Sequence, residues 1–242
     1  MKINVTVWNE GRHEKLSEKI AAVYPDGIHG AIGGALEKAG GFKVRTATLD
    51  DSGQGLPDEV LNDTDVLIWW GHMAHGDVED TIVEKVADRV RGGMGLIVLH
   101  SGHYSKIFKK LTGTNCSLRW RDDDSCRVWV VNPAHPIAQG IDGYIDLKNE
   151  EMYGEPFGIP NPDEVVFISW FGGGEVMRSG CCFNVERGKM FYFQPGHESH
   201  PTYYNEKIQM VLANACRWAA PVGEIASTAS CEHRKIPTGE VK

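Results

Sequence analysis

The chain has 242 residues, 41% of them hydrophobic and 24% charged, with a formal net charge of −8. That length can bury a large core in one domain, and an acidic balance without a Lys/Arg block excludes nucleic acid and anionic membrane as expected partners. No apolar run approaches the roughly 20 residues of a membrane span, and the N-terminal Met-Lys-Ile-Asn-Val-Thr-Val-Trp enters a strand-like run with no secretory pattern. The expectation is a cytoplasmic protein whose partner is a small molecule or another subunit.

In chain order, residues 2 to 8 read as a buried strand. A helix is predicted from Glu14 to Tyr24, with Leu16, Ile20 and Val23 at helical spacing, and a second over Gly30 to Lys38. Phe42 to Leu49 alternates as a strand, and the Asp, Ser and Gly residues of 50 to 57 mark a loop. Residues 65 to 70 form a continuous apolar strand, 78 to 91 an amphipathic helix, and Leu96 to Leu99 another apolar strand. Apolar strands alternating with helices imply a flavodoxin-like α/β fold, a mostly parallel sheet with helices on both faces.

The second half changes character. Arg127 to Val131, Val165 to Phe171, Cys181 to Val185 and Met190 to Phe193 are short β-rich runs, read as an antiparallel, β-rich extension. A last helix is predicted from Asn205 to Ala219, with 221 to 242 an irregular arm of the same single domain. The six cysteines have no CxxC spacing and read as reduced core residues.

Six of the ten histidines fall in three His-x-x-His pairs, His72/His75, His100/His103 and His197/His200, each directly after an apolar strand. In an open parallel sheet ligands bind outside the carboxyl ends of the strands, so three segments are expected to deliver imidazoles to one place. Imidazole suits a divalent transition metal, zinc above all, held by about three protein ligands with one position open. The expected ligands are His72, His103 and His197, with His100 set back in its strand. For any one pair the ordinary reading is a hydrogen-bonded structural histidine; the coincidence of three favours a site.

Glu151 lies in Asn149-Glu-Glu-Met-Tyr153, a segment of mixed polarity that resembles neither regular helix nor strand. It is the expected catalytic carboxylate, beside His103 and His72, and Glu198 is a second candidate. The bland reading of either is a solvated loop acid. Trp8, Asn9, Trp70 and Ser101 end or follow strands and are the expected substrate-binding set, although the tryptophans suit core packing equally. Leu99-His-Ser-Gly-His103 has glycine on one side only of Ser101, so a nucleophile elbow is not expected. Gly30, Gly33 and Gly34 do not directly follow a strand, and no nucleotide is assigned.

The segments Asp65-Val-Leu-Ile-Trp-Trp-Gly-His72, Gly92-Gly-Met-Gly-Leu-Ile-Val-Leu-His-Ser101, Asn132-Pro-Ala-His-Pro-Ile-Ala-Gln-Gly-Ile141 and Gln194-Pro-Gly-His197 together resemble the ThuA-like trehalose-utilisation family over roughly residues 2 to 220. The resemblance implies a fold similar to class I glutamine amidotransferases, without glutaminase chemistry because no cysteine occupies the elbow. It also implies a role in sugar catabolism on a keto sugar or 3-keto-glycoside, by metal-assisted elimination or hydrolysis. A keto-sugar isomerase or epimerase and a non-catalytic sugar-binding protein are the alternatives, and a homo-oligomer joined through the aromatic-rich second half is the other partner considered. His135, in the His-Pro motif, is read as shaping a loop and not the site.

Overall fold

Parallel neighbours need crossover connections, and right-handed crossovers running in opposite directions along a sheet put their helices on opposite faces. The computed structural model describes residues 2–226 and 239. In chain order the elements are β1 (Ile3–Asn9), α1 (His13–Leu16), α2 (Glu18–Val23), α3 (Gly27–Ala39), β2 (Phe42–Thr48), α4 (Asp58–Asn62), β3 (Val66–Trp70), α5 (Asp80–Gly92), β4 (Gly95–Leu99), α6 (Lys106–Thr112), β5 (Arg119–Val130), β6 (Tyr144–Gly154), β7 (Glu164–Phe171), β8 (Val176–Val185), β9 (Gly188–Phe193) and α7 (Glu206–Ala219). They build one nine-stranded sheet in the order β2-β1-β3-β4-β9-β8-β7-β5-β6. The pairs from β2 through β1, β3 and β4 to β9 are parallel, and those from β9 to β6 antiparallel.

The chain steps one way from β1 to β2 and the other way from β3 to β4, which makes the gap between β1 and β3 a topological switch point. On the helical layers, α3 packs on β1, β2 and α7, while α5 packs on α6 and β9. Every residue of β3 and β4 is buried, as strands covered on both faces require. Stacking of Trp8 on Trp69, with ring centroids 4.0 Å apart, ties β1 to β3 inside that core.

The flavodoxin-like architecture and the antiparallel extension stand as expected, and several boundaries move. The helix predicted over Glu14 to Tyr24 is two, because Ser17 takes an extended φ of −136° and its hydroxyl caps the second by accepting from the Ile20 amide. The helix predicted from Gly30 starts at Gly27. The largest correction concerns Glu151, which lies within a strand, opposite an irregularity in its partner: β6 alternates exposed and buried through Lys148, then stays buried from Glu150 to Gly154. Strand patterning depends on apolar residues marking the buried face, and here two glutamates occupy buried positions. All five described cysteines are buried and unpaired. Most of the expected C-terminal arm lies outside the described residues.

The antiparallel half reaches the strand ends of the parallel half by bending. β7 pairs with β5 only from Cys126 to Val130, whereas the β5–β6 ribbon continues to Arg119 and Gly154. Register shifts between Arg121 and Asp124 and between Asp124 and Cys126 interrupt that ribbon, and such irregularities bend a strand and re-aim its side chains. The free end returns over the end of β9, where the Gln194 side-chain amide donates to the Glu151 carbonyl at 3.0 Å.

Candidate functional site

Four loops leave the carboxyl ends of parallel strands, after Asn9, Trp70, Leu99 and Phe193, and the bent β5–β6 ribbon closes over them. Between them lies a cavity of about 510 Å³. Its wall includes His72, His75, Ser101 and His103 from the parallel strand ends, His197 and Glu198 from the loop after β9, and Trp120, Asp122, Glu151 and Tyr153 from the ribbon. No lysine or arginine lines it.

Two groups of donors meet here. His13, His72 and Glu198 bring ligating atoms within 4.8 Å of one another, and so do His100, Glu151 and His197. Glu198 is buried, with Oε1 at 3.3 Å from His13 Nδ1, 3.4 Å from His72 Nδ1 and 3.6 Å from His197 Nε2. Its Oε2 is buried with no hydrogen-bond partner. Burial opposes its charge, but the surrounding His72, His197 and His13 outweigh that and hold its carboxyl far below the usual range. Burial likewise lowers His13, and its Nε2 lies 2.7 Å from His72 Nδ1, so the two imidazoles are hydrogen-bonded to each other beside the carboxylate. Two histidines and one glutamate with a fourth position open is a donor set that catalytic zinc uses, and the unpartnered buried Oε2 is what such an ion would satisfy.

The second group is arranged for proton transfer. His100 donates from Nδ1 to the Gln194 carbonyl at 2.8 Å and from Nε2 to Glu151 Oε2 at 3.0 Å. Both ring nitrogens are thus spent on protein acceptors and neither is left for a metal. Burial alone lowers its pKa, yet the Glu151 partner prevails and pushes it up to about 9. Burial works the other way on Glu151, and the His100 bond holds it below the ordinary carboxylate value. The result is a buried imidazolium–carboxylate pair with Glu151 on the cavity wall. His197 Nδ1 accepts from the Ser199 amide at 3.2 Å, which in the neutral ring leaves Nε2 as an N–H donor. His100 has a left-handed φ of 48°, a conformation that costs a non-glycine residue about 1–2 kcal/mol. The strained residue at this strand-to-helix turn is therefore His100, and Ser101 spends its hydroxyl on the Gly71 carbonyl at 2.9 Å.

Two further buried glutamates hold the loops that carry these groups. Glu10, just past β1, accepts from the backbone amides of His72, Met73 and Ala74 at 2.7–3.0 Å. Glu150, fully buried, accepts from the amides of Gly196 and His197 and from the Thr202 hydroxyl at 2.9–3.0 Å. Gly196 sits at φ 141° against Tyr203, where a Cβ would collide with the phenol oxygen, so this turn admits only glycine.

Set against the expected site, the geometry keeps some residues and moves others. Glu151, Ser101, His72, His103 and His197 all line the cavity. Of the three expected metal ligands only His72 belongs to the donor group around Glu198; His197 presents an N–H. His103 donates Nδ1 to the Cys116 carbonyl at 2.7 Å, and burial lowers it to about 3, so it is a neutral ring turned toward β5. The expected substrate-binding residues Trp8, Asn9 and Trp70 do not reach the cavity wall. All three are buried, Trp8 donating to the Gln54 carbonyl, Trp70 to that of Gly196 and Asn9 to Glu14. His135 caps the turn Pro136–Ala138 by accepting from the Ile137 amide, a loop role as read. His13 and Glu10 went unremarked because no second histidine follows at His-x-x-His spacing; their signal was position, directly after the first strand, where the other histidines also lie.

A family model described as ThuA, trehalose utilisation, matches residues 4–219. The chain belongs to the ThuA family. Membership associates it with sugar metabolism. No curated protein matches it in sequence. Among solved structures, a ThuA-like protein from Parabacteroides merdae superposes with a TM-score of 0.69 at 12% identity, covering 97% of this chain and 98% of that one. A ThuA-like protein from Bacteroides uniformis follows with a TM-score of 0.64 at 18% identity, covering 89% and 90%. PurLQS from Thermotoga maritima gives a TM-score of 0.55 at 15% identity, covering 90% and 99%. At these identities the likeness is one of fold, and it joins the ThuA architecture to that of a glutamine amidotransferase-like fold.

Proposed function

We propose that this ThuA protein is a carbohydrate-catabolising enzyme that cleaves a 3-keto-glycoside by elimination, with a divalent transition metal, zinc first, held by His13, His72 and Glu198. One observation carries the reading. Glu151, ionised by its pairing with His100, lines the same cavity as His72 and Glu198 of a donor group in which one buried carboxylate oxygen has no partner. A ketone at C3 acidifies the C2 proton, and Glu151 is the base placed to take it. The electron pair moves to form the C1–C2 double bond, the C1–O bond breaks with its electron pair, and the protonated Glu151 returns the proton to the departing oxygen, to which His197 Nε2–H donates a hydrogen bond. When bound, the ion would offset the negative charge that develops on the ketone oxygen. His100 holds Glu151 oriented and ionised, and general-base catalysis of this kind contributes about 10²–10⁴ in rate.

Glutaminase chemistry finds no support, because the strained turn after β4 carries a buried histidine whose nitrogens are both engaged. A cytoplasmic location goes with this reading, and the five described cysteines, buried and unpaired, suit a reducing compartment.

The test is elemental analysis of untagged, chelator-free protein followed by turnover of 3-keto-glycosides with product analysis. Near-stoichiometric transition metal, an unsaturated keto product and loss of turnover in Glu151→Gln are the expected results. An isomerised sugar with its glycosidic bond intact would replace elimination by isomerisation. Full turnover in both Glu151→Gln and Glu198→Ala would overturn the assignment of the site.

A further inference from the structure

The deep end of the cavity is lined by buried acids and imidazoles, whereas its mouth carries two large aromatic side chains left in solvent. Trp120 is 63% exposed and Tyr104 50% exposed, and both belong to the wall. Neither exposure serves the fold, since burying such rings is what would stabilise the protein. Among the described residues no aromatic ring or cation covers Trp120, while Tyr104 has Lys109 Nζ 2.9 Å from its ring centroid.

The β5–β6 register fixes where Trp120 stands. It pairs directly with Tyr153, so the two side chains share one face of the ribbon as cross-strand neighbours. Tyr153 in turn stacks on His100, with centroids 4.7 Å apart and planes 13° from parallel, and its hydroxyl lies 3.3 Å from His100 Nε2. Trp120 thus stands on the strand next to Tyr153, the residue whose ring backs the Glu151–His100 pair. The register shift that follows Arg121 leaves Asp122 on the cavity wall beside it.

We infer that Trp120, Tyr104 and Asp122 form a second sugar-ring subsite at the mouth, which takes the departing sugar of an uncharged, disaccharide-sized glycoside. The flat C–H face of a pyranose stacks on an exposed indole, and its hydroxyls donate to a carboxylate. Among the described residues no lysine or arginine lines the wall, and Lys109 beside it is engaged on the Tyr104 ring, an arrangement that favours uncharged over phosphorylated or acidic sugars. This inference rests on the reading that the cavity takes sugars, but it does not depend on the chemistry that follows.

The test therefore measures binding as well as turnover. Dissociation constants for trehalose, methyl α-glucoside and glucose 6-phosphate are determined by calorimetry on wild type, Trp120→Ala and Trp120→Tyr. Thermal unfolding confirms that the exposed substitutions leave the fold intact. Wild type is expected to prefer trehalose over the methyl glycoside by about five- to ten-fold, the yield of one aromatic stack. Trp120→Ala should erase that preference and Trp120→Tyr should keep most of it. Equal discrimination in wild type and Trp120→Ala overturns the subsite, as does tighter binding of glucose 6-phosphate than of trehalose. Preference lost in Trp120→Ala without any turnover of keto-glycosides by wild type would uphold the subsite and overturn the proposed reaction. Turnover that depends on Glu151 but is indifferent to Trp120 would do the reverse.

Discussion

The parallel and antiparallel halves of the sheet both supply the cavity, but they place their residues by different means. In the parallel half β1, β3, β4 and β9 end at one edge, and the donors sit on the loops beyond them: His13, His72, His100 and His197 with Glu198. In the antiparallel half the groups lie within strands, Trp120 on β5 and Glu150, Glu151 and Tyr153 on β6. A loop needs an outside anchor to hold a ligand still, and each half provides a buried glutamate for this, Glu10 for the loop after β3 and Glu150 for the loop after β9. A strand is held by its own ladder, so the ribbon carries Glu151 between paired neighbours, with His100 and Gln194 fixing its side chain and carbonyl. Under the proposed reading, the loops would hold the metal and the ribbon would supply the base.

The sharpest way to break that division is to compare His72→Ala with Glu151→Gln. The first should strip the metal, while the second should lower kcat by about 10²–10⁴ with metal content unchanged. Loss of metal from Glu151→Gln, read by elemental analysis, would put ribbon and loops in one ligand set.

A smaller effect separates the two anchors. Each glutamate-to-glutamine change turns one acceptor toward a backbone N–H as a donor, and should cost stability about 1–3 kcal/mol by urea unfolding. Glu10→Gln should also weaken metal affinity about 10–100-fold, since its amides belong to the His72 loop. Glu150→Gln should act mainly on turnover through His197. Equal metal affinity in the two variants would show that the anchors are interchangeable.

The buried pair gives a pH signature. His100 is raised from 6.5 to about 9 by Glu151, against the pull of burial, with Tyr153, His197 and Glu150 also facing it. Its contribution is complete below about pH 6.5 and is lost as pH rises through about 9. Glu151 is lowered, so its contribution is present above the ordinary carboxylate value and is lost as pH falls through its folded value. Metal-free wild type should therefore lose thermal stability between pH 6.5 and 9, and Glu151→Gln should lose that slope. An unchanged slope would remove the ion pair from the site.

The smallest effect tests the core of the parallel half. Trp8→Phe removes the donor to the Gln54 carbonyl and should cost about 1 kcal/mol, with KM for any sugar unchanged. A rise in KM would return Trp8 to the substrate site.

Much of the parallel half was legible because its signals are local. Continuous apolar runs as short as Val66–Trp70 and Gly95–Leu99, rich in β-branched and aromatic residues, suit strands buried on both faces, and a histidine directly after such a strand stands at the ligand-binding edge. The ribbon was harder to read. Glu150 and Glu151 occupy buried positions in β6 because Gly196, His197, Thr202 and His100 come to meet them from distant parts of the chain, and no hydrophobic periodicity reports a buried carboxylate whose partners are remote. For the same reason Trp8 and Trp70 read as platforms at strand ends, whereas the tryptophan on the cavity wall is Trp120.

Taken by itself, the sequence determined the alternation of strands and helices, the flavodoxin-like half, the ThuA resemblance and the presence of imidazoles at strand ends. Each of these rests on interactions between near neighbours or on motifs a few residues long. Tertiary structure decided which of these groups meet: that His13 and Glu198 join His72, that His100 spends its nitrogens on Gln194 and Glu151, and that a bent ribbon brings Glu151 to them. Those choices depend on hydrogen bonds between residues dozens of positions apart, and their geometry exists only once the sheet has curled.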